Sequence, residues 1–406
     1  MDSQSESQYL MHVVERPRPV MVRGEGSYLW DESGRKYLDF VQGWAVNALG
    51  HAPREVSRAL ARQAELLLTP SPAYHNAPQL ELARRLCESS GLARATFCSS
   101  GAEAIETAIK ICRKWGARHR SGAYEIITTL NAFHGRTLAA MAASGKPGWD
   151  TLFPPNPPGF RKVEYANLAQ MREAITESTA AILVEPVQGE AGAIAPSVDY
   201  LIGLRKLADV HGLLLVFDEV QTGMGRTGSL FAFQQAGVLP DVVTLGKGLG
   251  SGVPLSAVLV NERANVIVPG DHGGTFNGNP LLAAVGCSVL DVVSKPAFLQ
   301  WVRLRAHQLQ HGLVRLASKH HGTVRGQGLL QALVLDTSNA EKIRDDCFER
   351  NLLLNAARPN VLRFMPQLRV SAEEIDRMLE LLDESLCAQR ETSACSSSVT
   401  QTTTVA

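Results

Sequence analysis

Five consecutive apolar residues, 213–217 (LLLVF), set the narrowest limit on the fold of this chain. A strand with one face in water alternates apolar and polar residues, whereas a strand covered on both faces does not. A helical pattern at residues 198–211 comes just before this run, with Ser197 as a candidate N-cap and Gly212 beyond its end. A helix followed by a fully covered strand is typical of an α/β protein.

Similar apolar runs recur along the middle of the chain, separated by patterns of helical length. The candidate strands are residues 95–98, 125–130, 180–184, 213–217, 242–245 and 256–260. Because strands and helices alternate at this spacing, the sequence predicts a mostly parallel sheet with helices on both faces. Further on, strands at 329–335 and 361–364 mix with helices at 340–350 and 372–387, which indicates a smaller α+β lobe.

These patterns divide the chain into four expected parts. Residues 1–50 are an N-terminal arm that contributes to the small domain, and residues 51–290 are the large domain that carries the candidate site. Residues 291–390 are the C-terminal small domain. Residues 391–406 are rich in Ser and Thr and almost free of large apolar residues, so we expect a disordered tail.

Charge and cysteine content argue against several classes of protein. The 40 Lys and Arg residues balance the 40 Asp and Glu residues, so neither a nucleic-acid partner nor a polybasic membrane anchor is expected. The sequence contains no run of 18 apolar residues that would indicate a membrane span. The seven cysteines contain no C-x-x-C pair, so we expect no metal site and free thiols in a cytoplasmic protein.

Two charged residues follow candidate strands, at the sheet edge where open α/β proteins bind ligands. Asp218 comes directly after the apolar run, and Lys247 follows strand 242–245 between Gly246 and Gly248. Glycines let the backbone approach a ligand, and a lysine removed from water has a lowered pKa and becomes a nucleophile. A loop cap and a surface turn are the structural alternatives for these two residues.

Two segments suggest phosphate binding. Residues 99–103 (SSGAE) precede an amphipathic helical pattern, and small residues at a helix N-terminus leave N–H groups for a phosphate, although a plain serine cap is the commoner outcome. Residues 223–228 fit the G-x-G-x-x-G fingerprint, but four residues separate them from the strand and no helix opens inside them. A nucleotide-dependent oxidoreductase is therefore the alternative from a different class.

Together, a lysine nucleophile, an aspartate beyond a central strand and a phosphate cup are the groups that a pyridoxal phosphate (PLP) enzyme needs. Longer segments then carry a resemblance to a known family. They are residues 133–137 (FHGRT), 185–190 (EPVQGE), 217–228 (FDEVQTGMGRTG), 244–248 (TLGKG) and 274–280 (GTFNGNP). In this order they resemble the motifs of class III (ornithine-type) aminotransferases, and the match spans roughly residues 19–386.

The resemblance implies a PLP-dependent transaminase of fold type I, built as a homodimer with shared active sites. It implies that Lys247 bonds to the cofactor and moves a substrate proton, and that Asp218 pairs with the pyridinium nitrogen. The other cofactor-binding residues that it implies are Gly101, Ala102, Phe133, Glu219, Val220, Gln221 and Thr275 of the partner subunit.

The resemblance also implies a substrate site. Arg136 would hold the α-carboxylate of the amino donor, with Gly274 nearby, and Arg363 would hold that of glutamate or 2-oxoglutarate. Glu190 would neutralise Arg363 during the donor half-reaction; without the resemblance, a structural ion pair is the simpler interpretation. The expected reaction moves the δ-amino group of N2-acetyl-L-ornithine to 2-oxoglutarate, in arginine biosynthesis. Succinylornithine, succinyldiaminopimelate, ornithine and 4-aminobutyrate remain alternative donors.

Overall fold

Helices and strands alternate through the middle of the chain, as the sequence predicts. The structure is a computed structural model that describes residues 9–17 and 19–399, with side chains through residue 389. In chain order, the strands are β1 (Met21–Glu25), β2 (Tyr28–Asp31), β3 (Lys36–Asp39), β4 (Arg94–Cys98), β5 (Glu125–Thr129), β6 (Phe160–Val163), β7 (Thr179–Val184), β8 (Leu214–Asp218), β9 (Val242–Leu245), β10 (Ser256–Val260), β11 (Thr323–Gln327), β12 (Leu330–Val334), β13 (Leu352–Leu353), β14 (Asn355–Arg358) and β15 (Val361–Phe364).

The α-helices of six residues or more enclose these strands. They are α1 (Arg54–Ala64), α2 (Ala77–Ser90), α3 (Gly101–His119), α4 (Leu138–Ala143), α5 (Leu168–Glu173), α6 (Val198–Val210), α7 (Pro280–Val293), α8 (Pro296–His320), α9 (Ala340–Glu349) and α10 (Ala372–Val399). Shorter helical turns occupy Gln42–Ala45, Trp149–Thr151, Ala232–Ala236, Lys247–Leu249 and Glu262–Ala264.

A seven-stranded sheet with the order β4-β10-β9-β8-β7-β5-β6 lies at the centre of the protein. The five strands from β9 to β6 are parallel, and β10 runs antiparallel to both of its neighbours. The predicted mostly parallel sheet is therefore confirmed. The sequence did not predict β6, because this short strand at the sheet edge carries two cationic residues in a pattern (FRKV) without a long apolar run.

The two faces of the central sheet pack against different helices, which is why β8 lacks polar alternation. Leu215 and Phe217 belong to the same buried cluster as Leu204 of α6, whereas Val216 belongs to the cluster that contains Ile105 of α3. Burying each such side chain contributes about 1.5–3 kcal/mol. Successive residues of β8 thus serve opposite faces, and Asp218 is carried to the end of the strand.

Two four-stranded sheets surround this core. One has the order β1-β2-β3-β13 and the other β11-β12-β15-β14. Leu38 of β3 pairs with Leu352 of β13, so strands from the two ends of the chain share a sheet. In the other sheet, Arg363 of β15 lies between Ala332 of β12 and Asn355 of β14.

The last helix is longer than predicted. α10 runs to Val399, past the predicted end at residue 387 and into the segment expected to be disordered. No Pro or Gly interrupts residues 388–399, so nothing in the local sequence stops the helix; residues 400–406 of the expected tail lie outside the described residues. Among the described helices, no single one is long and apolar enough to cross a membrane. Helices α7 and α8 reach the required length and apolarity only when they are taken together, and the two are bent by 71°.

Candidate functional site

A cavity of about 260 Å³ opens where the parallel strands of the central sheet end. Its lining consists of Gly101, Ala102, Phe133, His134, Gly135, Arg136, Glu185, Glu190, Asp218, Val220, Gln221 and Lys247. These residues follow β4, β5, β7, β8 and β9, which is where open α/β sheets bind ligands. A wider groove between α1 and α7, of about 750 Å³, contains none of the predicted site residues.

Lys247 is the buried amine of this cavity. β9 ends at Leu245, Gly246 is extended, and Lys247 begins a short helical turn with φ of +41°. A left-handed backbone at a residue other than glycine costs of order 1 kcal/mol or more, so the surrounding structure holds it there. Burial lowers the pKa of Lys247, and the negative charge of Glu190 opposes this effect. A larger neutral fraction makes the amine a stronger nucleophile and base.

Asp218 is held from two directions. Its Oδ1 accepts hydrogen bonds from the backbone N–H of Val220 at 3.0 Å and the hydroxyl of Thr244 at 3.1 Å. Its Oδ2 lies 2.7 Å from Nδ1 of His134, and both side chains are buried. Burial alone would lower the pKa of His134, but the hydrogen bond and charge of Asp218 raise it. The motif at 133–137 contained His134, yet sequence reasoning assigned it no role.

Glu185 is a second buried carboxylate that sequence reasoning missed. It accepts a hydrogen bond from the backbone N–H of Phe133 at 3.0 Å and a longer one from that of Gly189 at 3.4 Å. Burial raises the pKa of Glu185, and the charge of Asp218 adds to this effect. The signal was present, because Glu185 follows β7 directly, just as Asp218 ends β8.

The start of α3 forms a cup beside Val220. Ser100 and Glu103 make a reciprocal capping box, in which Glu103 accepts from the N–H groups of Ser99 and Ser100 at 2.7 and 2.8 Å. The serine cap and the phosphate cup are therefore compatible, since Gly101 also lines the cavity. A Cβ at Gly101 would lie 2.8 Å from Cγ1 of Val220, so only glycine fits here without displacing that side chain.

Arg363 and Glu190 form an ion pair at the edge of the cavity. Nη1 of Arg363 lies 2.7 Å from Oε1 of Glu190, and the arginine side chain is fully buried. Nε of Arg363 donates to Oδ1 of Asn355 at 3.0 Å, whereas Nη2 is buried without a partner among the described residues. Burial alone would raise the pKa of Glu190, but Arg363 and Lys247 lower it to about 2. The Nη2 atom, which carries two N–H donors, therefore remains available to a ligand.

Four predicted residues are not part of the lining of this cavity: Arg363, which lies at its edge, and Glu219, Gly274 and Thr275. The buried side chain of Glu219 instead accepts from the N–H groups of Ala232 and Phe233 at 2.7 and 2.8 Å. Neighbouring residues at a strand end point in opposite directions, which is why this side chain turns away from the cavity; a role of Glu219 in cofactor binding stays a prediction. Gly274 and Thr275 lie on the loop before α7, where Thr275 is exposed; its role in a partner subunit stays a prediction.

The side chains present fit PLP. A buried amine, a fixed carboxylate, the N-terminus of a 19-residue helix and an aromatic ring meet in one cavity. Gln221 adds an amide oxygen that is buried without a partner among the described residues. The glycine-rich segment at 223–228 lacks the helix that a dinucleotide site requires, since it forms consecutive turns.

Comparison with known proteins agrees with this geometry. The profile of the aminotransferase class-III family matches residues 11–386, and the chain belongs to this family, whose cofactor is PLP. Acetylornithine aminotransferase 2 of Bordetella bronchiseptica is 53% identical over 393 residues, covering 96% of this chain and 99% of that protein. The dinucleotide alternative is therefore wrong.

Solved structures give the same result. The N-acetylornithine aminotransferase of Stenotrophomonas maltophilia K279a superposes with a TM-score of 0.82 at 35% identity, covering 96% of this chain and 99% of that chain. The ornithine aminotransferase of Toxoplasma gondii ME49 superposes with a TM-score of 0.91 at 33% identity, covering 96% and 95%. The overall fold is shared by enzymes with different amino donors.

Proposed function

We propose that this class III aminotransferase moves the δ-amino group of N2-acetyl-L-ornithine to 2-oxoglutarate, giving N-acetyl-L-glutamate 5-semialdehyde and L-glutamate in arginine biosynthesis. The relatives named acetylornithine aminotransferase support the donor. In the structure, the observation that carries the proposal is the ion pair of Glu190 and Arg363 beside the buried amine of Lys247.

Lys247 and Asp218 serve the chemical step. Bound PLP supplies an electron sink for the negative charge that develops on the substrate carbon. Lys247 removes a proton from that carbon with its Nζ, a task favoured by its lowered pKa. Asp218, held by His134 and Thr244, keeps a proton on the ring nitrogen because the carboxylate charge stabilises the cation.

Glu190 and Arg363 let one site accept two kinds of substrate. The donor brings a neutral methylene chain to this region, so Glu190 stays paired with Arg363 and balances its buried charge. 2-Oxoglutarate brings a carboxylate, which takes the place of Glu190 and also reaches the unpartnered Nη2 of Arg363. A planar guanidinium binds a carboxylate through two parallel hydrogen bonds.

The remaining cofactor and substrate roles follow the cavity lining. The N–H groups of Gly101 and Ala102 would bind the phosphate, and the ring of Phe133 would stack on the cofactor. Val220 would pack against the cofactor ring as well, and Gln221 would hydrogen-bond the ring hydroxyl. Arg136 binds the α-carboxylate of the donor.

The proposal includes a cytoplasmic homodimer in which Thr275 of the partner subunit completes the phosphate site and Gly274 lies near the substrate. Large apolar side chains that are exposed in one chain, among them Leu66, Tyr74 and Phe276 at 70%, 69% and 64%, support a subunit interface. Light scattering gives the test: a mass twice that of the chain is expected, and a monomer at working concentration contradicts this part.

The first experiment mixes the cofactor-loaded enzyme with N2-acetyl-L-ornithine alone and follows the visible absorbance of the bound cofactor. A rapid loss of absorbance is expected, with slower loss for ornithine and 4-aminobutyrate. A faster response to another ω-amine would contradict the donor assignment while keeping the reaction class. The Lys247→Ala variant should lose turnover with an unchanged thermal unfolding midpoint, and turnover at the wild-type rate would contradict the mechanism.

A further inference from the structure

Arg136, the residue proposed to bind the donor carboxylate, has a single aromatic support. Its guanidinium carbon lies 4.6 Å from the centre of the Trp149 ring. Arg136 is exposed, and its side chain makes no hydrogen bond or ion pair with any of the residues that the structure describes. Trp149 itself is buried and packs edge-on against Phe133, at 5.8 Å between ring centres. The indole therefore sets where the guanidinium lies relative to the cavity.

Lys146 is a second cation on the same indole. Its Nζ lies 5.2 Å from the Trp149 ring centre and 5.7 Å from that of Phe133. The side chain is half-buried, and within the described chain Nζ has no carboxylate within ion-pair distance. Burial lowers the pKa of Lys146, and only the more distant charge of Glu190 opposes this effect. A cation held in this way lacks a counter-ion.

The segment that carries these two residues is anchored by its backbone. Gly145 exchanges hydrogen bonds with the loop after β5, donating to the carbonyl of Ala132 at 3.0 Å and accepting from Asn131 at 2.9 Å. A Cβ at Gly145 would lie 2.2 Å from the carbonyl oxygen of Thr129. The segment is thus fixed to the strand end that also carries Phe133 and Arg136.

Positive charge exceeds negative charge around this mouth of the cavity. Arg136, Arg358 and Arg363 all act on Lys146 electrostatically, and Glu190 is the carboxylate that acts on it. Glu190 is already committed to Arg363 at 2.7 Å. Like charges that lie close together are unfavourable unless an anion joins them, so this arrangement is complementary to a ligand that brings its own carboxylate.

We propose that Lys146 and Trp149 belong to the substrate site: Trp149 positions the guanidinium of Arg136, and Lys146 adds a second cation, so that the two bind the carboxylate that a substrate carries at the end remote from its reacting group. This inference rests on the proposed function. The substrates that it implies are acids with a carboxylate remote from the reacting group, a feature that N2-acetyl-L-ornithine and 2-oxoglutarate share. Lys146 is a binding residue and Trp149 a positioning residue.

The main test is the Lys146→Met variant, which removes the charge and keeps the length of the side chain. The KM for N2-acetyl-L-ornithine should rise about tenfold, the loss typical of one charge-assisted hydrogen bond, while kcat stays within about twofold. Lys146→Arg should restore most of the affinity, and Lys206→Met, an exposed lysine on α6, should match the wild type. A KM for Lys146→Met within twofold of the wild type overturns the inference.

A second substrate separates carboxylate binding from a structural effect. The amide of N2-acetyl-L-ornithine lacks the charge, so Lys146→Met should lower kcat/KM for the acid about tenfold and for the amide less than twofold. Equal losses for the two would overturn the inference. Trp149→Phe should raise the KM for the acid about two- to fivefold, and Trp149→Leu should raise it further, because cation–π attraction weakens in that order.

Failure of the proposed function is distinguishable from failure of this inference. The former is seen in the wild type, which would not transfer the amino group of N2-acetyl-L-ornithine. The latter is seen in Lys146→Met through the KM for 2-oxoglutarate, measured with whichever ω-amine the wild type accepts. This KM should also rise about tenfold, and an unchanged value overturns the inference whatever the donor.

Discussion

Replacing Glu190 with glutamine removes the negative charge that faces Arg363 while keeping the size of the side chain. The pKa of Glu190 falls from 4.5 to about 2, a net change of about 3 kcal/mol in favour of the charged carboxylate after the opposing effect of burial. The attraction of Arg363, Lys247 and Lys146 produces this net change. Assigning about half of it to Arg363 gives about 1.5 kcal/mol, or roughly tenfold in an equilibrium constant.

The two half-reactions of Glu190→Gln should respond in opposite directions. 2-Oxoglutarate no longer competes with the Glu190 carboxylate for Arg363, so its half-saturation concentration should fall by about tenfold. The donor meets an unbalanced cation at 2.7 Å from position 190, which can capture its carboxylate in a reversed, unreactive orientation. The donor half-reaction should therefore slow by about tenfold and show inhibition at high donor concentration.

Rapid mixing measures each half-reaction separately through the absorbance of the bound cofactor. Glu262→Gln is the matched control, because Glu262 forms an exposed ion pair with Arg94 at 3.3 Å far from the cavity, and both half-reactions should match the wild type. The thermal unfolding midpoint of Glu190→Gln should be lower than that of the wild type, because the substitution leaves the buried charge of Arg363 uncompensated. Equal slowing of both half-reactions, or no change in either, would refute the proposed exchange at Arg363.

Three further predictions concern Gly101 in the phosphate cup, His134 beside Asp218, and the buried Arg226. Gly101→Ala places a Cβ 2.8 Å from Val220 and should weaken PLP binding about tenfold in a titration of cofactor-free protein; unchanged affinity would contradict the cup. Asp218 raises the pKa of His134 in the folded protein. The His134–Asp218 pair therefore stabilises the fold in full below about pH 6.5, and this stabilisation is lost as the pH rises through the raised pKa. The difference in unfolding free energy between wild type and His134→Gln should shrink accordingly, and a constant difference would mean a neutral histidine. Arg226→Met removes a buried guanidinium that donates to two backbone carbonyls and should cost about 2–4 kcal/mol in denaturant unfolding, whereas a loss below 0.5 kcal/mol would contradict a structural role.

Several elements were predictable because their causes are local. The apolar run before Asp218 required a strand buried on both faces, and β8 has that environment. The position of Lys247 after β9 followed from the same rule, since ligands bind where parallel strands end. Glu185 obeys that rule too, because it directly follows the end of β7 at Val184.

Other features depend on contacts between distant parts of the chain. Glu190 and Arg363 are 173 positions apart, and β15 brings them together only because it lies in a separate sheet against the cavity. His134 and Asp218 are 84 positions apart and meet through the strand order of the central sheet. Local sequence patterns do not encode which distant residues come into contact. An ion pair that is predicted from the sequence alone can therefore be structural as readily as functional.

The amino-acid sequence thus specified the residues that carry the chemistry and the strands and helices that present them, because steric limits, apolar periodicity and capping act within a few residues. The direction of Glu219 and the indole support of Arg136 follow only from the folded chain, and so does the 2.7 Å distance between Glu190 and Arg363. Strand order and packing set which side chains face one cavity, and the environment there shifts their pKa values: burial lowers that of Lys247, and neighbouring cations lower that of Glu190.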